Sequence, residues 1–369
     1  MLFPILETSF ISVTGGMLFR LLHLPLPWLL GSLTAVLVWS LSTKRNLVWP
    51  VEYRNCGLVI LGYMLGSSFT IATALEIFKQ LPAMLLATTS IILFSLLVGT
   101  IISRRTGLNP ATTVLGSIPG GLTQMVVLSE EIAGSDLTVV TFMQTIRLLA
   151  TVFIVPFIVI HGLAGDTPQA GAASVPVVPD SLIHTPWNTL IFIGIILVSI
   201  RVALRLNLPT PFLLGPLLGT AALVLTGIQA PDPPSILVLI SQLCIGAYLG
   251  LSIKPASLAN WKKLLPYTLG GSIALVFFSL GAGYLVTRLH SMTLITAFLG
   301  TSPGGMGEMG LTAILVGADV SLVAAYCTAP HFVNTVRQHF VENFAGNIQL
   351  GLNIPELNGY VCCYRNLCK

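Results

Sequence analysis

The chain has 369 residues, of which 54% are hydrophobic and only 8% charged, and its mean hydropathy is +0.90. A soluble globule carries about 25% charged residues, so the composition excludes that class and indicates a polytopic membrane protein. The net charge of +4 is small and dispersed, which leaves no footprint for nucleic acid, and the six cysteines suggest no disulfide framework.

The N-terminal stretch "MLFPILETSFISVTGGML" has no basic region ahead of its apolar run and no clear small-residue cleavage site. It reads as a first span rather than a removed signal peptide. Apolar segments follow the pattern 2–22, 27–42, 55–75, 81–103, 110–132 and 137–163. A Pro/Gly/Ala/Ser-rich linker runs from Ala164 to Pro186, and the pattern restarts at 187–206, 211–227, 235–253, 264–287, 294–316 and 319–333.

The restart is a repeat. "LPLPWLLG" (Leu24–Gly31) matches "LPTPFLLG" (Leu208–Gly215), "GYMLGSS" (Gly62–Ser68) matches "GAYLGLS" (Gly246–Ser252), and "GSIPGG" matches "GTSPGG", all at an offset of 184. Shared apolar composition aligns leucines, but it does not align Pro, Gly and Arg together. The expected organisation is repeat 1 over 1–163, a linker over 164–186, repeat 2 over 187–333, and an atypical polar tail over 334–369.

Loop charge bears on the relative sense of the copies, because cytoplasmic loops collect Lys and Arg. If all twelve segments cross, the basic residues divide 6 against 7. If the Pro-Gly-Gly segments do not cross, Lys44, Arg45, Arg54, Arg104, Arg105, Arg201, Arg205, Lys254, Lys262 and Lys263 share one side, against Arg20, Lys79 and Arg288. The fold class expected is therefore an all-α polytopic membrane protein. It would have two inverted repeats of about five transmembrane helices, each with a Pro-Gly-Gly broken or re-entrant segment. The N-terminus would be cytoplasmic in a bacterial inner membrane.

The breaks carry the functional expectation. Irregular backbone at membrane depth is tolerated only where protein or a water-filled cavity satisfies it. Paired breaks in inverted halves point to a transporter-type site near the midplane. The alternative is that the glycines only let helices pack closely. The candidate binding residues are Pro119, Gly120, Gly121 and Gln124 at the first break, Pro303, Gly304, Gly305 and Glu308 at the second, with Gln144 and Arg147 on the following helix. Glu308 replaces Gln124 at the same repeat position and could carry a proton or cation, or serve as a structural partner. Arg147 could bind an anionic group or hold Glu308 as an ion pair. Asp136 and Asp319 read as helix N-caps, and Glu130 and Glu131 as loop residues. No catalytic residue, metal ligand set or cofactor motif is expected, since the six histidines form no ligand cluster. The partners expected are the lipid bilayer and an unknown small solute, with a coupling proton or cation. Nucleic acid is not among them, and homo-oligomerisation is left open.

The duplicated "LP-x-P-x-LLG", the duplicated "GS/T-x-PGG" and the "MQ-x-x-R" of Met143–Arg147 resemble the AbrB-type membrane protein family, which carries an internal AbrB duplication. The resemblance covers residues 10 to 325. It implies a multipass inner-membrane protein, labelled elsewhere a regulator of aidB expression or an ammonia monooxygenase, and a fold related to the cation:proton antiporter and anion transporter superfamily. Transport of a solute that a soluble factor senses accounts for the regulatory label; an oxidase would need a metal site. The family also carries "MQ-x-x-R" in its second copy, where this chain reads "YCTAP" (Tyr326–Pro330) before its polar tail. A frameshift and a divergent tail both fit that departure.

Overall fold

The computed structural model describes residues 2–43, 47–120, 125, 128–130, 132, 134–163, 186–206, 208, 210–252 and 261–328. Residues 164–185 of the expected linker, Gly121, Gln124, Glu131 and the polar tail lie outside them. The described residues are helical and include no strand. Among the described residues five helices are long and apolar enough to cross a membrane (Ile71–Thr106, Leu137–Leu163, Asn188–Arg205, Ser235–Ser252 and Lys262–Leu289), which makes the chain an all-α multipass membrane protein.

The helices form two groups. One contains α1 (Leu2–Leu21), α2 (Pro27–Thr43), α3 (Val51–Ser67), α7 (Pro186–Arg205), α8 (Pro211–Leu225) and α9 (Ser235–Ser252). The other contains α4 (Ile71–Thr106), α5 (Pro110–Ser117), α6 (Leu137–Ile158, extended by a π turn, Val159–Leu163), α10 (Trp261–Leu289), α11 (Leu294–Thr301), α12 (Met306–Val316) and a helix at 320–328, here α13. The groups meet through a small contact of α12 against α3. Each group draws helices from both halves of the sequence.

Helix starts recur at the 184-residue offset: Pro27 and Pro211, Val51 and Ser235, Pro110 and Leu294. So do the contacts. A Cβ on Gly66 of α3 would lie 2.6 Å from Leu217 O of α8, and one on Gly250 of α9 would lie 2.7 Å from Leu33 O of α2. Bare glycine lets these backbones touch, which is how helices without a hydrophobic driving force pack in lipid. Phe94 of α4 stacks on its counterpart Phe278 of α10 at 4.1 Å between ring centroids. From that pair the two helices run in opposite senses, with Gly271 against Val98 and Ile102.

The helix boundaries differ from the sequence expectation at one place. The apolar segment expected over 55–75, with the next beginning at 81, instead breaks at Ser68–Thr70. The 36-residue α4 then passes through Pro82. Thr70 and Thr73 exchange side-chain and backbone hydrogen bonds in a capping box, which fixes the start firmly. Pro82 sits inside α4, where neighbouring helices accommodate the lost amide.

Both copies enter their second helix through a residue in the left-handed region, Leu26 at φ 47° and Thr210 at φ 49°. Thr210 is exposed, β-branched and makes no side-chain cap. A left-handed L-residue costs roughly 1–2 kcal/mol, so Thr210→Gly is expected to raise the thermal midpoint in detergent, a gain of about 1 kcal/mol.

Candidate functional site

The two breaks are built alike. Asn109 caps α5 by accepting from Ala111 N, and Thr293 caps α11 by accepting from Thr296 N. Both helices last eight residues and end at Ser117 and Thr301. The chain then turns extended into Pro119-Gly120 and Pro303-Gly304-Gly305, and in the second copy resumes as α12. A methionine folds back on each break, Met125 over Gly120 and Met309 over Gly304.

A helix that stops inside the protein leaves carbonyls unpaired. At the first break Gln144 of α6 supplies the donors: its Nε2 reaches Leu115 O at 2.6 Å and Ile118 O at 3.0 Å. At the second, Cys327 of α13 points its Sγ at Leu299 O and Gly300 O, both at 3.8 Å. Cys327 thus holds the place of Gln144, with a weaker donor. Gln144→Leu would strand two buried carbonyls, and the expected cost is about 2 kcal/mol, read as a fall in thermal midpoint. Asp136 and Asp319 do cap α6 and α13, accepting from Val139 N and Leu322 N. The loop before each cap is tied to its broken helix, since Asp136 N donates to Thr112 and Asp319 N to Thr296.

Three cavities surround these elements. Pro119 and Pro303 line one together with Thr88, Thr301, Ser302 and Tyr326, so the two breaks do meet. Tyr326 donates from there to Gln80, which donates to Glu76. Arg147 lines a second cavity within the same helix group, with Ser95, Ser117, Met143, Thr268 and Ser272. Glu308 lines a third, with Leu29 of α2, Leu61 of α3, and Ser241 and Gln242 of α9, at the contact between the two groups.

The expected ion pair between Arg147 and Glu308 is therefore not formed: the two side chains line cavities with no residue in common. Among the described residues the guanidinium reaches only Gly120 O, at 3.4 Å through Nη2. The carboxylate of Glu308 folds back over the α12 N-terminus, where a Cβ on Gly305 would collide with Oε2. That amide-rich end suits a negative charge. Gly305→Ala is expected to leave α12 folded while pushing the carboxylate out of place, visible as a changed position of Glu308 in a structure of the variant.

Sequence reasoning missed Ser117, Gln242, Cys327 and the Glu76–Gln80–Tyr326 chain. Ser117 and Cys327 had a signal, one preceding the Pro-Gly-Gly break and the other matching Gln144 across the repeat. Gln242 and Gln80 had only their polarity within apolar runs.

Residues 28–329 match the family described as "Transition state regulatory protein AbrB". Two relatives are alike over most of their length. One is "Putative regulator AbrB" of Escherichia coli (strain K12), 28% identical over 328 residues, covering 88% of this chain and 92% of that one. The other is "Uncharacterized protein YhjN" of Bacillus subtilis (strain 168), 26% identical over 336 residues, covering 85% and 86%. With its broken helices, its repeated contacts and a match over most of its length, the chain belongs to the AbrB family.

Proposed function

We propose that the protein is a secondary transporter or exporter of a small solute in a bacterial inner membrane, with a cytoplasmic N-terminus and two inverted copies. The observation that carries this reading is the position of Glu308. It is an ionisable residue on the first turn of a broken helix, facing α2, α3 and α9 across the contact between the helix groups. Intramembrane carboxylates are costly and mark ion or solute paths. A carboxylate at the surface where two groups of helices meet can couple their relative movement to uptake of a proton or cation. Inversion is supported by α4 and α10: their opposed register about Phe94 and Phe278 implies a two-fold axis across both helices, hence in the membrane plane if they span it. The proposal includes no catalytic centre and no cofactor.

A second reading, favoured by the printed name of the E. coli relative, is a membrane-embedded regulator that binds a solute without moving it. Flux separates the two. Purified protein in proteoliposomes under an imposed pH gradient is challenged with small amines, organic acids and monovalent cations. Net movement above protein-free vesicles supports transport. Ligand-dependent thermal stabilisation with no flux for any stabilising solute favours the regulator.

A further inference from the structure

The 184-residue offset that relates the two breaks also relates two of the cavities. The one lined by Arg147 includes Gly116, Ser117, Ser272 and Leu275; the one where the breaks meet includes their counterparts Gly300, Thr301, Thr88 and Ile91. In the first, a cation is built into the chain as the buried Arg147 guanidinium. In the second, no charged side chain among the described residues lines the cavity. His331, at the position matching Arg147, is outside those residues. The second copy gains oxygen instead: Ser302 and Tyr326 line its cavity, at positions where the first copy has Ile118 and Phe142.

A hydroxyl has one proton to donate, and those of the second cavity already point theirs into the protein. Ser302 Oγ donates to Phe298 O at 2.6 Å, and Thr301 Oγ1 is directed at Ala297 O and Ser279 O, at 2.9 and 3.0 Å. Tyr326 donates to Gln80 Oε1 at 3.0 Å. That direction is set from the far end, because the Glu76 carboxylate only accepts and so turns the Gln80 amide nitrogen toward itself, at 3.0 Å. Three buried oxygens are left with lone pairs alone to offer, and Thr88 adds a fourth hydroxyl. The broken helices act in the same sense. α11 ends in the lining at Thr301 and α5 ends two residues before Pro119, and a helix C-terminus carries partial negative charge. The α12 N-terminus, of opposite sign, is met by the Glu308 carboxylate.

We propose that the cavity between the breaks binds one dehydrated monovalent cation of about the size of water, of the potassium and ammonium class, on the hydroxyl oxygens of Thr88, Thr301, Ser302 and Tyr326. The free cation is the second copy's counterpart of the Arg147 guanidinium in the first. Neutral oxygens with no carboxylate in the lining suit an ion of low charge density, whereas calcium and magnesium sites are built with carboxylates. The free volume is about 20 Å³, room for one or two species the size of water and too little for an organic amine. This inference deepens the transport reading by naming a ligand class for the paired breaks, and it rests on that reading only for the step from binding to movement.

The test is isothermal titration of potassium, ammonium or sodium chloride into detergent-purified full-length protein in choline chloride, at constant ionic strength and about pH 8, above the ordinary histidine range. Thermal midpoints are read in each salt. The wild type is expected to bind potassium and ammonium saturably at one site per chain, and sodium several-fold more weakly. Tyr326→Phe, which installs the residue of the first copy, should weaken binding about 10-fold, the loss of one hydrogen-bonding group to a charge. Ser302→Ala and Thr88→Val should each weaken it a few-fold, and Gly194→Ala, which has open space around it, not at all. Ser302→Ala guards against misfolding: in choline its midpoint should equal that of the wild type, while the rise with potassium shrinks. Midpoints of folded wild type that are the same in every salt, with no saturable binding, mean that water alone fills the cavity and overturn the inference. Binding unchanged in Tyr326→Phe and Ser302→Ala, or a site that prefers sodium, overturns it as well. Cation binding without solute flux would keep the site and remove the transport reading. Flux that depends on Glu308, with no cation bound between the breaks, would do the reverse.

Discussion

Leucine in place of Gly66 or Gly250 is expected to abolish recovery of folded, monodisperse protein. The two glycines hold α3 against α8 and α9 against α2 so closely that even a methyl group would sit 2.6 Å from Leu217 O or 2.7 Å from Leu33 O. Carbon atoms do not approach carbonyl oxygens to that distance, so the helices must separate along their length. Separation forfeits the close packing that stabilises helix pairs in lipid, where apolar burial supplies no driving force. Overpacking a soluble core costs typically 1–3 kcal/mol, and a backbone collision that cannot be relieved by a rotamer change should exceed about 3 kcal/mol. Fluorescence-detected size exclusion of the two variants beside Gly194→Ala and Gly281→Ala decides the matter. The latter positions have nothing within 4 Å of the added carbon and should behave as wild type. Normal elution of Gly66→Leu would mean that the contact between α3 and α8 is dispensable.

The second large effect is on activity. Glu308→Gln keeps the shape of the side chain and removes its charge, so folding should be little changed while the solute movement proposed above falls at least 10-fold, equivalent to about 1.4 kcal/mol or more of lost differential stabilisation. The physical reason is location. The side chain lies where α12 of one group meets α2, α3 and α9 of the other, so a charge held there would change environment if the groups moved as the proposed transport requires. An amide is indifferent to that difference. The measurement is the initial rate of pH-gradient-driven solute movement in proteoliposomes with matched protein content. A variant that transports at the wild-type rate would demote Glu308 to a cap on the α12 N-terminus.

The repeat and its breaks were legible because they are written in residues with unusual backbone demands. Pro119 and Pro303, or Gly66 and Gly250, stand out against an apolar background that carries little positional information. The residues around the site were less legible because neighbours in sequence are not neighbours in the fold. α3 and α4 are joined by a three-residue turn, yet they belong to different groups, and α4 takes α10 as its partner instead. Arg147 and Glu308 belong to the same group, yet one lines a cavity inside it and the other a cavity at the contact with the second group, which spacing along the chain could not reveal. Cys327 illustrates a different limit. It looks like a loss beside Gln144, since a thiol and an amide share little in a sequence alignment. The geometry shows what they have in common, a donor aimed at the end of a broken helix. The turn at Ser68–Thr70 was overlooked because a capping box between two threonines is a weaker sequence signal than the proline at 82.

The exchange of partners between the two halves also sets the order in which the protein can be made. When α3 has entered the membrane, the surface that receives Gly62 and Gly66 does not yet exist, because Leu213 and Leu217 are still to be synthesised beyond the linker. The same holds for α2, which waits for Gly246 and Gly250. Until then α1 can pack on α2, with Gly15 against Gly31, while the glycine faces of α2 and α3 that receive the second half stay open to lipid. Chains cut within 164–185 should then rescue each other when co-expressed and be degraded when expressed singly.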